Sequence, residues 1–139
     1  MKISTKGRYG LTLMIELARN YGSGPISLKA IAEQKNLSNH YLEQLATPLR
    51  NAGLIRSVRG PYGGYTLAKE PEHISTGDII RVLEGPITVV EGIEEEESAQ
   101  RALWIRIRNA IKDVLDTTTL LDLLEYDDDE LQSDYMFYI

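Results

Sequence analysis

Residues 38–67 decide the fold, and they begin with the helical pattern Ser38-Asn39-His40-Tyr41-Leu42-Glu43-Gln44-Leu45. A basic hairpin follows as Leu54-Ile55-Arg56-Ser57-Val58-Arg59-Gly60-Pro61-Tyr62-Gly63-Gly64-Tyr65-Thr66-Leu67. A helix with polar N-terminal side chains can enter a DNA major groove, and a hairpin with arginines and a Gly/Pro tip can lie along the neighbouring minor groove. This order indicates a winged helix-turn-helix that binds double-stranded DNA.

The sequence before this stretch predicts two further helices. Apolar residues recur every four positions, which indicates a first helix over about Thr5–Tyr21. Ser27 has the character of an N-cap for a second helix that ends near Asn36. With Ser38 as the N-cap of the third helix, the helix-turn-helix is expected at about residues 25–48.

The third helix is expected to bury Leu42, Leu45 and Leu49 along one stripe. Pro48 removes a backbone donor, so a bend or a fresh capped turn is predicted near Thr47. The wing then covers about residues 54–68. A capping box at residues 74–78 opens a fourth helix that ends at Glu84, which completes a predicted DNA-binding domain of residues 1–86.

Residues 87–98 form an acidic, Gly-containing connector that is expected to be loosely held. A long helix is predicted over Ala99–Asp116, and residues 99–126 as a whole are assigned to dimerisation helices, with a capped turn at residues 117–124. The apolar stripe expected at the dimer interface comprises Leu103, Trp104, Ile107, Ala110, Ile111 and Val114. The alternative is that this helix folds back onto its own domain, because an apolar stripe alone does not choose its partner.

Charge is distributed unevenly along the chain. Residues 1–81 hold eleven Lys/Arg against six Asp/Glu, and residues 82–139 hold four against fifteen. A basic first part and an acidic second part suggest that the first part meets phosphate and the second meets protein, unless the acidic residues only aid solubility. The chain has no Cys, no apolar run long enough to span a membrane and no signal-peptide core, so a cytoplasmic protein is expected.

The candidate DNA-contacting residues are cations, polar residues at helix starts and residues of the wing. They are Lys2, Lys6, Arg8, Ser27, Ser38, Asn39, His40, Tyr41, Gln44, Arg56, Arg59, Tyr62, Gly63 and Gly64. Glycines in the wing let backbone amides approach phosphate, and arginines supply charge. The alternatives are an ordinary hairpin with a Gly-rich tip and, for Ser38, a capping role with or without a phosphate contact.

Catalysis and metal binding receive no support from the sequence. The two histidines, His40 and His73, lie far apart, and no cysteine or tight carboxylate cluster is expected beside either of them. There is no nucleophile elbow and no phosphate-binding glycine loop. A protein that is not an enzyme and carries no cofactor is therefore expected.

Four motifs resemble the Rrf2 family of bacterial winged-helix regulators over nearly the whole chain. They are the opening at residues 1–11, the Leu42-Glu43-Gln44-Leu45 helix, the wing at residues 59–65, and the helix at residues 77–85. Many members carry three cysteines after that last helix that hold an iron–sulfur cluster. The corresponding segment here, Thr88–Ile107, has none, so cluster sensing is not carried over.

Within the family, residues 103–106 and 135–139 are similar to a cluster-free branch that represses genes of cysteine and sulfur assimilation. The resemblance implies a homodimeric repressor, a master regulator of those genes, that obtains its signal from cysteine synthase, whose availability follows O-acetylserine. The alternative from another class is a protein-interaction module with residual DNA binding.

The acidic and aromatic tail, residues 127–139, contains the candidate partner-binding residues Tyr135, Phe137, Tyr138 and Ile139. An apolar chain end must either dock on its own dimer or be offered to a partner. The resemblance implies the second possibility, in which Ile139 presents its free carboxylate to the substrate pocket of the synthase.

Overall fold

The computed structural model describes residues 2–137, and the side chains of residues 2–128. The elements are α1 Thr5–Arg19, α2 Leu28–Lys35, α3 Asn39–Asn51, β1 Ile55–Val58, β2 Gly64–Leu67, α4 Thr76–Glu84, α5 Ser98–Thr117 and α6 Leu120–Phe137. Short 3-10 turns occur at Pro71–His73 and Ile93–Glu95. Strands β1 and β2 form an antiparallel hairpin in which Ile55 pairs with Leu67 and Val58 with Gly64. The predicted class, mainly α with a small β wing, is confirmed.

The helix caps explain where the first elements begin. The hydroxyl oxygens of Ser27 and Ser38 accept the Ala30 and Tyr41 amides at 3.1 Å and 3.2 Å, which confirms both predicted N-caps. Ser75 and Asp78 form the predicted capping box at the start of α4. None of the helices within residues 2–137 is both long and apolar enough to cross a membrane.

One hydrophobic core joins the helices and the base of the hairpin. Its fully buried side chains include Leu13 and Leu17 of α1, Leu45 of α3 and Ile79 of α4. Leu120, at the start of α6, is also completely buried in this core. The core of the segment predicted to end at residue 86 is therefore completed by a residue from the C-terminal part.

The C-terminal helix differs from the prediction. Only a capped turn was expected over residues 117–124, and this was wrong, because α6 continues to Phe137 and crosses the expected start of the tail. Thr119 and Asp122 cap α6 reciprocally, with bonds of 2.9 Å and 3.1 Å, and Leu123 and Leu124 pack against the core. The acidic run after residue 126 does not end the helix, because acidic residues are compatible with a helical backbone.

Pro48 lies inside α3 and does not divide it. A fresh capped turn does not form, and α3 is one helix from Asn39 to Asn51. Because proline has no backbone N–H, the carbonyl of Gln44, on the solvent side, has no hydrogen-bond donor four residues later. Thr47 Oγ1 donates to the neighbouring Glu43 carbonyl at 3.1 Å. Leu42, Leu45 and Leu49 are buried as predicted. The bend near Thr47 stays a prediction.

Glu84, at the end of α4, holds the start of α1. Its Oε1 accepts the Ser4 amide at 2.9 Å and the Gly7 amide at 3.1 Å, and it also accepts the Ser4 hydroxyl. These bonds stabilise the ionised carboxylate, so the Ser4 hydroxyl first, with the two amides, lowers the pKa of Glu84. The carboxylate acts as a cap for a helix whose own N-cap residue, Ser4, makes no side-chain cap bond.

Candidate nucleic-acid interface

A tight turn sets the angle between α2 and α3. Asn36, which ends α2, adopts the left-handed conformation with φ of 56°, and only Leu37 and Ser38 separate it from α3. Asparagine is among the few residues that adopt this conformation readily. The short turn and the two buried helix faces give the helix-turn-helix arrangement in which the second helix presents its N-terminal half outward.

The outer face of α3 is polar. Asn39, His40, Glu43 and Gln44 are exposed, and the Gln44 amide nitrogen lies 3.3 Å from His40 Nε2. Thr47 extends this face by one more turn. Thr47 was missed as a site residue because it was assigned to the bend, although its spacing of four from Glu43 places it on the same face.

Tyr41 faces a different direction from the other candidates on α3. It is half-buried and packs against the core, and its ring meets that of Tyr9 edge to face, with centroids 6.0 Å apart and planes at 88°. This geometry is typical of a stabilising aromatic pair. Tyr41 therefore holds α3 against α1.

The wing tip projects into solvent. Arg56 and Arg59 are exposed, and Tyr62 is 90% exposed. The tip closes with a bond from the Gly63 amide to the Gly60 carbonyl at 3.0 Å. A side chain on Gly63 would collide with the Val58 carbonyl oxygen. The arginines are thus carried on a hairpin whose tip is folded tightly by its own backbone.

The base of the wing is attached to the start of α2. Tyr65 and Ile26 exchange two backbone hydrogen bonds, of 2.8 Å and 3.0 Å. Gly64 lies so close to Ile26 that a Cβ atom there would sit 2.3 Å from the Ile26 carbonyl oxygen, and its φ is +155°. The absence of a side chain at Gly64 therefore allows the wing and the helix-turn-helix to form one unit.

A groove of about 410 Å³ lies where α2, α3 and β2 meet. Three predicted site residues, Ser27, Asn39 and Gly64, line it together. Lys29 lines it as well. The groove has a helix N-terminus, the ammonium group of Lys29 and the side-chain amide of Asn39, and proteins use such groups to contact phosphate and base edges.

The N-terminal cations do not line this groove. Lys2, Lys6 and Arg8 are exposed, and Lys2 lies beside Glu84 and Pro86. The hydrogen bonds of this segment run to α4 through Glu84. Some of the predicted site residues therefore line the groove, others lie at the exposed wing tip, and the exposed N-terminal cations belong to neither set.

Helix α5 exposes an apolar stripe. The stripe consists of Leu103, Ile107, Ala110 and Val114, which follow one another at spacings of four, three and four residues. Leu103 is 48% exposed and Val114 is 61% exposed, while Ala110 is exposed and Ile107 is half-buried. Ile3 and α5 residues including Ala110, Ile111 and Val114 line an open apolar groove of about 430 Å³. None of the twenty residues of α5 is buried. Trp104, like Ile107, is half-buried, and its Nε1 is shielded from solvent.

The contacts of α5 with its own domain are concentrated at its C-terminal end. Thr76 Oγ1 donates to the Leu115 carbonyl at 2.7 Å, and Arg81 pairs with Asp116 through two bonds of 2.6 Å and 2.9 Å. The Arg81 guanidinium lowers the pKa of Asp116. Fold-back of the kind considered as the alternative therefore occurs where α5 meets α4.

The candidate tail residues fall in two groups. Tyr135 and Phe137 belong to the backbone of α6, and their side chains lie outside the described ones. Tyr138 and Ile139 lie outside the described residues.

A carboxylate pair stands beside His73, contrary to the expectation from the sequence. Glu70, Glu72 and His73 are exposed at the 3-10 turn that begins with Pro71, and their carboxylate and ring-nitrogen atoms lie within 4.8 Å of one another. A hydrogen bond between the two carboxyls raises the pKa of Glu70 and lowers that of Glu72. The 3-10 turn brings the two carboxylates next to His73. The distance of His73 from the other histidine in the sequence did not indicate this cluster.

Similarity to known proteins agrees with this geometry. The family model of Rrf2, described as an iron-dependent transcriptional regulator, matches residues 3–126. The chain is 68% identical over 139 residues, the full length of both proteins, to the HTH-type transcriptional regulator CymR of Bacillus subtilis (strain 168). The structure of CymR, the global cysteine regulator of B. subtilis, has a TM-score of 0.86 at 68% identity and covers 91% of this chain and 98% of that one. Staphylococcus aureus CymR has a TM-score of 0.76 at 65% identity, covering 88% and 98%.

These relatives are regulators and not enzymes, which confirms the prediction of a non-enzymatic protein. The winged helix-turn-helix, the polar face of α3 and the match along the chain lead to one conclusion. The chain belongs to the Rrf2 family of transcriptional regulators.

Proposed function

We propose that this DNA-binding regulator is a homodimeric repressor of cysteine and sulfur-assimilation genes that is signalled through cysteine synthase. The observation that carries the DNA-binding part is the groove between α2, α3 and β2, next to the exposed arginines of the wing. The regulated genes are proposed from the 68% identity to CymR, which is described as the global cysteine regulator of B. subtilis. The competing proposal is a protein-interaction module with residual DNA binding, favoured by the acidic second part of the chain.

Duplex binding at two salt concentrations separates the two proposals. Footprinting on the protein's own genome defines the cognate duplex, and a scrambled duplex serves as reference. Affinity for the cognate duplex should fall steeply with salt, because Lys and Arg contacts release counterions from phosphates. A salt-independent affinity would favour the interaction module.

Variants assign the parts of the interface. Arg59→Ala should weaken binding to both duplexes by a similar factor and reduce the salt slope by about one per protomer. Gln44→Ala should mainly weaken binding to the cognate duplex, by about 1–3 kcal/mol, if its amide meets a base edge. Arg106→Ala, which removes an exposed charge on α5, is the matched control. Unchanged affinity for Arg59→Ala would remove the wing from the proposal.

The homodimer is proposed from the exposed stripe of Leu103, Ile107, Ala110 and Val114. Apolar side chains this exposed on one helix face favour burial against a second copy, and a two-fold dimer matches a pseudo-palindromic operator. Leu103→Asp or Ile107→Asp should give monomers that bind DNA poorly, whereas Asn109→Asp, on the opposite side of α5, should stay dimeric. Sedimentation that shows intact dimers for both stripe variants would place the interface elsewhere.

Iron is implied by the family description, and the residues of this chain do not fit a thiolate-held cluster. The chain contains no Cys, and the segment that corresponds to the cluster ligands, Thr88–Ile107, offers carboxylates and no thiolate. Iron–sulfur clusters in proteins are held mainly by Cys thiolates. The proposed signal therefore comes through a protein partner.

The partner is proposed to capture the chain end. Ile139 would present an aliphatic side chain and a free carboxylate to the substrate pocket of cysteine synthase, and O-acetylserine would compete for that pocket. Deleting residues 137–139 should abolish synthase binding while dimerisation and thermal stability stay normal. An unchanged synthase affinity would contradict capture, and a loss of stability would indicate that the tail docks on its own dimer.

A further inference from the structure

A cavity of about 310 Å³ lies between the connector and α5, away from the DNA groove and from the apolar stripe. Residues 87–94 form one wall, and Arg108 and Lys112 of α5 form the other. These two cations are four residues apart, so they project from the same side of the helix. The cavity is of a size that suits a small metabolite.

Arg108 has an unused donor at this place. Its Nε is shielded from solvent and has no hydrogen-bond partner within residues 2–128. Neither Arg108 nor Lys112 belongs to any of the ion pairs formed by the described side chains. A sheltered N–H group without an acceptor is unfavourable, so the Arg108 side chain would be stabilised by turning its guanidinium toward an acceptor held in the cavity that it lines.

The opposite wall carries the opposite charge. Glu91 and Glu94 line the cavity from the connector, together with apolar residues that include Ile87 and Ile93. The walls thus offer cations on one side, carboxylates on the other and an apolar surface between them. A ligand that satisfies both sides needs an anionic and a cationic group a short distance apart.

We propose that this cavity binds an α-amino acid as the zwitterion. Its carboxylate lies at Arg108 and Lys112, its ammonium group lies at Glu91 and Glu94, and its side chain meets the apolar wall. Bidentate carboxylate binding is a geometry that the arginine fork favours. This gives the regulator a direct effector in addition to the partner enzyme, and as a regulatory site it rests on the proposed function.

Binding would affect how α5 is positioned relative to the DNA-binding domain. The connector follows α4, and α5 carries the stripe proposed as the dimer face. A ligand held by both walls fixes the connector against α5, so it biases the position of the dimer helix relative to the DNA-binding domain.

The first experiment measures stabilisation of the full-length protein. Each soluble natural amino acid is added at about 10 mM, and thermal unfolding is followed. A ligand with a dissociation constant near 1 mM should raise Tm by about 3–5 °C. Trp104, the single tryptophan, lies one helical turn before Arg108, so its fluorescence reports saturation in the same samples.

The second experiment asks which charges the ligand needs. For the amino acid that stabilises most, the decarboxylated and deaminated analogues should each bind at least about tenfold more weakly, because each leaves one wall unpaired. Arg108→Gln should abolish the Tm shift, while Arg106→Gln, which leaves the cavity unchanged, should keep it. If one analogue binds as well as the amino acid, the site is not one for a zwitterion.

Failure of this inference is distinct from failure of the proposed function. If no amino acid shifts Tm or alters Trp104 fluorescence, or if Arg108→Gln responds like the wild type, the effector site is overturned. Operator binding by the ligand-free protein is measured on the same samples and tests the regulator itself. If Arg108→Gln unfolds at a much lower temperature, Lys112→Gln provides the same comparison, and an unaltered response in that variant also overturns the site.

Discussion

Replacing Gly64 by Ala should separate the wing from the helix-turn-helix. The added Cβ would lie 2.3 Å from the Ile26 carbonyl oxygen and 2.7 Å from the Ser27 nitrogen, so β2 must move away by roughly 0.7 Å. The bond from the Tyr65 amide to Ile26, now 2.8 Å, would stretch to roughly 3.5 Å and lose most of its strength. Its companion bond from Ile26 to Tyr65 would weaken with it.

The magnitude follows from these contacts. Two weakened backbone bonds cost about 1 kcal/mol each, and a side chain at a φ of +155° adds about 1 kcal/mol of strain. Gly64→Ala should therefore lower the free energy of unfolding by about 2–4 kcal/mol, and Tm by about 6–12 °C. Gly22→Ala is the matched control, since Gly22 also has a positive φ but a Cβ atom added there would meet nothing within 4 Å. It should cost only about 1 kcal/mol.

Thermal unfolding at equal protein concentration measures both variants, and duplex titration below their Tm measures the effect on DNA binding. Gly64→Ala should bind both cognate and scrambled duplexes more weakly, because the wing arginines are no longer held beside α2. Equal destabilisation by Gly64→Ala and Gly22→Ala would refute the close-approach argument and leave backbone strain as the only effect.

Three further predictions concern other parts of the molecule. Glu84→Gln should destabilise the protein by about 1 kcal/mol at pH 7. The pKa of Glu84 in the folded protein lies below its ordinary value of 4.5, so the stability difference between wild type and variant should be fully present above pH 4.5 and should vanish as the pH falls through the folded pKa. Urea unfolding at several pH values measures this difference. Thr119→Ala should lower stability by about 1 kcal/mol through loss of the α6 cap, whereas Thr117→Ala, at the exposed end of α5, should have a smaller effect, and thermal unfolding of the two variants compares them. Moderate peroxide and iron chelators should leave operator binding of the purified protein unchanged in gel-shift assays, because the chain has no thiol. A peroxide effect that a thiol reductant reverses would contradict this prediction.

The sequence predicted local structure well where a few residues determine it. Ser27, Ser38 and Ser75 are N-caps because side-chain oxygens satisfy backbone amides within the next three residues, and such contacts are visible in the order of residues. The buried stripe of α3 follows from helical periodicity in the same way. The position of the candidate interface could therefore be located before any tertiary contact was known.

Contacts between distant residues were not predictable in this way. Glu84 caps the start of α1 by accepting from Ser4, eighty residues earlier, and Gly64 approaches Ile26 across the fold. Tyr41 has a hydroxyl group that could contact DNA, but its ring packs on Tyr9. The length of α6 was missed because its acidic residues suggested a solvated tail, although α6 begins with a Thr119–Asp122 cap. Each of these depends on which elements become neighbours.

The burial of Leu120 makes the DNA-reading part and the C-terminal helix one cooperative unit. The Leu120 amide donates to the Ile74 carbonyl at 3.0 Å, and the Thr76 amide donates to Thr118 at 2.8 Å. Slow amide exchange at Leu120 and in α1 should report the same global opening, because both lie in one core. A fragment that ends before residue 119 would lack part of that core and be prone to proteolysis. A partner that engages α6 therefore acts on the same folding equilibrium that keeps α3 in place.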